Sequence, residues 1–299
     1  MDIPSQLGRH ALVTGGTGGI GFETAVALAK ADAEVVIAGR AKAKVDQAVA
    51  AVREAVGTAK VEGLVLDLAS LASIESAASA VVAGGRPLDL LINNAGIMAV
   101  PERRETADGF ELTFGTNHLG HFALTGRLLP ALLAAPAARV VTVSAKVSRN
   151  KGATLKDPLS LESYESGMAS YTKSKLANVV FTLELARRAA GTGITAVAVH
   201  PGTSSTGLQQ HLPRYMQVIA SMVLERFVGQ SPADAARPSV YAATNSGVKA
   251  GDFVVPDGRA ELRGVPHVAE MPPAATDPAV GRELWELSEK LTHVTYAFH

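Results

Sequence analysis

The residues best spaced for chemistry come early, in the turn Thr14-Gly15-Gly16-Thr17-Gly18-Gly19-Ile20-Gly21. The apolar run Ala11-Leu12-Val13 leads in and the periodic stretch Phe22 to Ala29 leads out, an order of strand, tight turn and helix. Gly15 can take backbone angles closed to other residues. Gly19 and Gly21 let a diphosphate approach the backbone and let the helix pack close to the strand. The helix that starts here points free N–H groups and the positive end of its dipole at an anion in the turn. Nucleotide binding is the expectation, and an ordinary tight loop is the plain alternative.

The elements that position this turn fill one large domain. The chain has 299 residues, 47% hydrophobic, enough for a full core. Its 28 basic and 28 acidic residues cancel, which argues against a nucleic-acid surface or a polybasic anchor. There is no cysteine, hence no disulfide, thiolate nucleophile or cysteine-ligated metal. The opening Met1-Asp2-Ile3-Pro4 has no basic-then-apolar pattern, and no apolar run approaches the length of a membrane span. A cytoplasmic protein with no membrane span is expected.

Strands are expected at Glu34 to Ala38, Val61 to Leu66 and Leu88 to Ile92, with helices at Ala41 to Val56 and Ser70 to Val82, Ser70 being an N-cap. Thr106 to Leu133 reads as mostly helical, Arg139 to Ser144 as a strand, and Arg149 to Gly167 as a polar insertion near a site. A long helix follows from Ala169 to Ala190, then a strand at Ile194 to Val199. Thr206 to Val228 is amphipathic, with the stripe Tyr215, Ile219, Met222, Val223 and Phe227 suited to a lid, a core face or a subunit contact. A short helix near Pro232 to Thr244, a closing strand at Phe253-Val254-Val255 and a terminal helix from Asp277 to Leu291 finish the chain. Alternation of this kind means an α/β fold: a single-domain, Rossmann-type, doubly wound parallel sheet flanked by helices. Residues 206–230 are read as a small substrate lid and 260–299 as a C-terminal extension. Ligands bind beyond the C-terminal strand ends of such sheets.

The ordered motifs Thr14-Gly15…Gly19-Ile20-Gly21, Asn93-Asn94-Ala95-Gly96, Asn117, Tyr171-Thr172-Lys173-Ser174-Lys175 and Pro201-Gly202 with Thr206 resemble those of the short-chain dehydrogenases/reductases, over about residues 8 to 260. Finer features resemble the branch of retinol dehydrogenases and protochlorophyllide reductases. They are Thr116-Asn117-His118-Leu119-Gly120-His121-Phe122, Ser174-Lys175-Leu176-Ala177-Asn178 and Pro256-Asp257-Gly258…Glu261-Leu262-Arg263-Gly264.

That resemblance implies hydride exchange between a nicotinamide and a carbonyl or alcohol carbon, with Tyr171 as the acid or base. A free tyrosine titrates near ~10. Lys175, four residues on, shares its helix face, and its ammonium would draw the phenol down. By the same resemblance Lys175 holds the nicotinamide ribose, and Asn117 supports a water relay from a kinked helix. The plain alternative is a solvated tyrosine and lysine one turn apart. One position departs from the family pattern. Aligned without a gap, Ala145 stands at the catalytic serine and Ser144 just before it, pointing to the other face. Three readings stand open: a shifted strand end that lets Ser144 serve, a reach from Ser148 or Lys146, or true absence of the serine, which is the reading favoured. Losing such a donor typically costs ~10²–10³ in rate. Ala145 and Ser148 are the candidate substrate contacts; Tyr164 and Met168, near the insertion, could line the mouth, but a solvated loop is the favoured reading.

An acidic residue ending the second strand would favour NAD. Here that place is Gly39, and Arg40 can grip a 2′-phosphate, so NADP(H) is expected. Thr17, Gly18 and Ile20 complete the diphosphate turn. Asp67, beside Leu68, should accept from the adenine amino group or merely cap a helix. Asn94, Ala95 and Gly96 should run along the adenosine ribose. Pro201, Gly202, Thr203 and Thr206 should border the nicotinamide and diphosphate. His118 and His121 sit three apart with no further ligand, so no metal is expected. The expected activity is an NADP(H)-dependent oxidoreductase, a ketoreductase or alcohol dehydrogenase acting on a small apolar carbonyl or alcohol. The alternatives are an NADP(H)-binding sensor or scaffold with little turnover, motivated by Ala145, and more weakly a C=C reductase. The resemblance also makes a homodimer or homotetramer plausible, through the helices at 106–133 and 169–190.

Overall fold

The computed structural model describes residues 2–202 and 230–298. Strand β1 (His10–Thr14) is buried along its whole length, as a strand covered on both faces must be. The glycine turn feeds α1 (Gly19–Lys30), followed by β2 (Glu34–Gly39), α2 (Lys42–Ala55), β3 (Val61–Val65), α3 (Leu71–Ala83) and β4 (Leu90–Asn93). Ser70 caps α3 as its position suggests, its hydroxyl accepting the Ser73 N–H at 3.2 Å.

The second half contains α4 (Leu112–Phe114), a π-helical turn at Gly115–Leu119, α5 (Gly120–Arg127), α6 (Leu129–Leu133) and β5 (Arg139–Val143). A 3₁₀ turn at Lys146–Arg149 precedes α7 (Gly167–Arg188) and β6 (Thr195–Val199). Then come α8 (Pro232–Thr244), β7 (Phe253–Pro256), β8 (Pro266–Ala269) and α9 (Pro278–Thr292). The helical stretch expected from Thr106 begins later, at Leu112. Glu111 opens it, its buried carboxylate accepting the Thr113 and Phe114 N–H groups at 3.0 and 2.7 Å.

The strands order as β3-β2-β1-β4-β5-β6-β7-β8. All neighbours are parallel except β7 and β8. The eighth strand corrects the expectation that Phe253-Val254-Val255 closes the sheet. A turn at Gly258–Gly264 reverses the chain, Gly264 adopting φ 141°, and the Asp257 carboxylate accepts the Val265 N–H at 2.8 Å. Proline at Pro266 is tolerated because this strand forms the sheet edge.

Side-chain alternation along β1 divides the core. Ala11 and Val13 join Ala25, Val49 and Ala242 on one face, and Leu12 joins Ile74, Phe122 and Phe181 on the other. The C-terminal segment closes that second face. Trp285 lies against Phe122 and Phe181 at ring-centroid distances of 5.1 and 5.9 Å, and the Tyr296 hydroxyl donates to the Phe122 carbonyl at 2.7 Å. A side chain at Gly126 would strike Val294 and Tyr296. The proposed lid at 206–230 and its Tyr215–Phe227 stripe lie outside the described residues, apart from Gln230.

Candidate active site

The strand order reverses between β1 and β4, and a cleft of about 500 Å³ opens beyond their C-terminal ends. The two strand ends are tied together. Asn94 and Ala95 donate their backbone N–H groups to Thr14 Oγ1 at 2.9 and 3.0 Å, and Asn94 Nδ2 donates to the Thr14 carbonyl at 2.8 Å. A Cβ at Gly21 would collide with Asn94 Nδ2 and the Gly15 carbonyl, so only glycine lets the helix start this close.

The other end of the cleft is bordered by Gly39, Arg40, Asp67 and Leu68. Gly39 carries no side chain to bind a ribose 2′-hydroxyl, and a Cβ there would sit 2.6 Å from Thr17 Cγ2, so a larger residue would require Thr17 to shift. Arg40 follows it, exposed and without an ion pair among the described residues. Asp67 combines both of its expected places: it lines the cleft, and its Oδ1 accepts the Ala69 N–H at 3.0 Å where the chain turns toward α3.

Helix α7 supplies the reactive pair. Its N-cap Ser166 accepts the Ala169 N–H at 3.1 Å, and Tyr171 and Lys175 follow on one face, both lining the cleft. Lys175 Nζ donates to the Val143 carbonyl at the end of β5 at 2.9 Å and lies 5.7 Å from the Tyr171 ring centroid. Burial lowers the Lys175 ammonium to about 8 and pushes the Tyr171 phenol above its ordinary value. The downward pull expected of the ammonium on the phenol is thus outweighed by desolvation.

Asn117 stands behind the cleft wall rather than in it. The kink around it is the π-helical turn, a feature common at functional sites. Its Oδ1 accepts the Ile97 N–H at 2.8 Å, and its Nδ2 donates to the Ile97 carbonyl at 2.9 Å and to Ser174 Oγ at 3.0 Å. It thereby clamps the segment after Gly96 against α7.

Ser144 and Ala145 both border the cleft. Ser144 still pairs with β6, its N–H donating to the Val199 carbonyl at 2.7 Å, and its hydroxyl turns inward to donate to the Lys175 carbonyl at 2.7 Å. Ser148 is fully buried, absent from the cleft wall, and donates to the Ala145 carbonyl at 2.8 Å. Ala145 itself borders the cleft, as does Lys146.

Every other candidate in the described residues lines the same cleft: Gly15 and Thr17 through Gly21 of the glycine turn, Asn94-Ala95-Gly96, and Pro201-Gly202. Thr203 and Thr206 lie outside the described residues. Tyr164 is held by its hydroxyl, which donates to the Val100 carbonyl at 2.6 Å, and Met168 is exposed; neither borders the cleft. Sequence reasoning missed Thr14 as the knot between strands, and Ile97, Met98 and His200 as lining. Thr14 opens the quoted motif, but its partners lie some 80 residues away and leave no local signal. Among the described residues no cluster of histidines and carboxylates could hold a metal, and no helix is long and apolar enough to cross a membrane.

A glycine turn at the switch point of a doubly wound sheet, facing a tyrosine and lysine one turn apart, defines a nicotinamide-dependent oxidoreductase. The comparisons agree. A profile of the short chain dehydrogenases matches residues 9–216. Retinol dehydrogenase 14 of Homo sapiens is 36% identical over 297 residues, covering 94% of this chain and 85% of its own. The crystal structure of an uncharacterized protein from Mycobacterium paratuberculosis is 36% identical with a TM-score of 0.79, covering 99% of this chain and 97% of that one. A protein from Beutenbergia cavernae, described as an NAD(P)-dependent gluconate 5-dehydrogenase with bound NADP, is 29% identical with a TM-score of 0.64, covering 81% of this chain and 92% of that one. The chain belongs to the short-chain dehydrogenase family, in its retinol dehydrogenase branch.

Proposed function

We propose that this protein is an NADP(H)-dependent oxidoreductase for apolar carbonyls and alcohols. The observation that carries the cofactor choice is the strand end at Gly39, which has no acidic side chain and is followed by the exposed Arg40. The fit of the rest is steric. The bare backbone at Gly18 borders the cleft and faces open space, where a diphosphate could approach it. When bound, the nicotinamide supplies or accepts the hydride. Gly15–Gly21 would hold the diphosphate, Arg40 the 2′-phosphate, and Asp67 and Leu68 the adenine. Asn94–Gly96 would hold the adenosine ribose, Lys175 the nicotinamide ribose, and Pro201 and Gly202 the nicotinamide.

Tyr171 keeps its proton at neutral pH because burial raises its phenol, so it is poised to donate to a carbonyl oxygen in the reductive direction. Lys175 is anchored on the Val143 carbonyl, and Asn117 keeps the Ile97 backbone beside it. The reacting oxygen lacks the second hydroxyl that a serine at 145 would offer. A retinoid-like apolar substrate follows from the retinol dehydrogenase relatives.

A sensor or scaffold that binds NADP(H) with little turnover is the second reading, and Ala145 favours it. The experiment is a titration with NADPH and NADH, then NADPH oxidation at 340 nm with all-trans-retinal and a panel of ketones and aldehydes. Tighter NADPH binding with turnover supports the oxidoreductase. Binding without turnover supports the sensor. Binding of neither cofactor overturns both.

A further inference from the structure

His121 lies in α5, outside the cleft wall, and is buried to 1% exposure, yet both of its ring nitrogens are committed. Nδ1 lies 2.9 Å from the Asn117 carbonyl and Nε2 lies 2.9 Å from Thr14 Oγ1. A carbonyl only accepts, so the proton is on Nδ1 and the neutral ring presents its lone pair at Nε2. Thr14 then donates its hydroxyl hydrogen to Nε2 at 2.9 Å, in preference to its longer contact with the Ile92 carbonyl at 3.3 Å. That choice turns the Thr14 lone pairs toward the Asn94 and Ala95 N–H groups, which donate to the same oxygen at 2.9 and 3.0 Å. One imidazole therefore fixes a donor–acceptor order running from the Asn117 carbonyl to the backbone of Asn94 and Ala95.

We propose that His121 is a positioning residue: as the neutral Nδ1–H tautomer it orients the strand ends of the cofactor side through Thr14 and the Asn117 turn of the catalytic side through its other nitrogen. The two arms reach different halves of the site. Through Thr14 it sets the segment that borders the cofactor. Through the Asn117 carbonyl it braces the π-helical turn whose side chain clamps Ile97 and touches Ser174 on α7. A charged ring would disrupt this order, because Asn117 and Thr14 offer it no anion. Burial first, with the nearby Lys175 charge adding to it, lowers the imidazole to about 4 and opposes that charge. The protein thus carries a histidine used for direction of hydrogen bonding, not for proton exchange.

The role rests on the oxidoreductase reading for its kinetic consequences, but the tautomer is independent of it. The test uses the whole protein, with His121→Asn, His121→Gln and Thr14→Val. Asparagine places its amide near Nδ1 and keeps the Asn117 bond; glutamine reaches to Nε2 and keeps the Thr14 bond. We expect His121→Asn and Thr14→Val to weaken NADPH binding about tenfold, the scale of one buried hydrogen bond, with the rate at saturating NADPH held within about twofold. We expect His121→Gln to do the reverse, lowering the rate with all-trans-retinal about tenfold while leaving NADPH affinity within about twofold. Imidazole ¹⁵N spectra should show a signal of the neutral Nδ1–H tautomer that is unchanged from about pH 5 to about pH 9 and missing in His121→Asn, whereas His267, whose Nδ1 lies 3.1 Å from the Val255 carbonyl, keeps its signal in that variant. Equal losses in both variants, no loss in either, or an Nε2–H or charged ring overturns the proposal. If the unaltered protein binds no NADPH, the functional reading fails, and the tautomer signal alone then decides whether the hydrogen-bond order exists.

Discussion

The cofactor side of the cleft is held by bonds between strand ends, whereas the side where a substrate would react is bordered by one strand end and its loops. On the first side, Thr14 gathers Asn94, Ala95 and His121 around one oxygen, and Gly21 leaves no space for a larger residue. On the second, Ala145 offers a methyl group where the family pattern has a hydroxyl, and Ser144 and Ser148 spend their hydroxyls on backbone carbonyls. On the proposed reading the difference teaches that binding and turnover are separable: the dinucleotide cradle is preorganised, and proton donation would fall on Tyr171.

The comparison breaks most sharply at Tyr171. Tyr171→Phe should lower turnover by ~10²–10⁴ while leaving NADPH affinity nearly unchanged, because general acid catalysis is worth about that much. Turnover that survived the change would place the donated proton on another group. A smaller effect probes the opposite side. Arg40→Ala should weaken NADPH by ~10–100-fold, the scale of a charge-assisted hydrogen bond, and leave NADH as it was. Equal losses for the two cofactors would remove the 2′-phosphate from Arg40.

The pH dependence sharpens the comparison further. Lys175 loses its proton near 8 in the folded protein, so the reductive rate should be level below that pH and fall above it. Lys175→Met should abolish the falling limb. The stability effect has the opposite sign. Between about 8 and the free lysine value of 10.5 the unfolded chain binds the extra proton, so this group makes stability rise with pH across that window. Melting temperatures followed from pH 8 to pH 10.5 should show a shallower rise in Lys175→Met than in the unaltered protein. An unchanged slope would mean that Lys175 is not the buried group that titrates.

Much of this was legible in sequence, and the unequal legibility follows the same division. Alternating apolar strands and helices gave the doubly wound sheet, and Ser70 its cap, because period and capping are local. The glycine turn, Arg40, Tyr171 and Lys175 fell into one cleft because the fold sends the strand ends to one side. What stayed hidden depends on partners distant in the chain. His121 looked like a motif residue until Thr14, 107 residues earlier, came within 2.9 Å. Ser144 could be read as a substitute donor until its hydroxyl met the Lys175 carbonyl. The edge strand β8 is short and opens with a proline, so its extended form depends on the Gly258–Gly264 turn and pairing to β7. That burial raises the Tyr171 phenol was hidden too, because burial depth is not visible in helical spacing.

The central claim is that the cofactor side is complete while the substrate side lacks one donor at residue 145. The measurement that tests it most directly is NADPH affinity together with the rate of all-trans-retinal reduction, in the unaltered protein and in Ala145→Ser. The account predicts equal NADPH dissociation constants and a rate about 10²-fold higher in Ala145→Ser, the usual worth of one donor at a developing oxyanion. An unchanged or lower rate in Ala145→Ser, with NADPH bound as before, would contradict it.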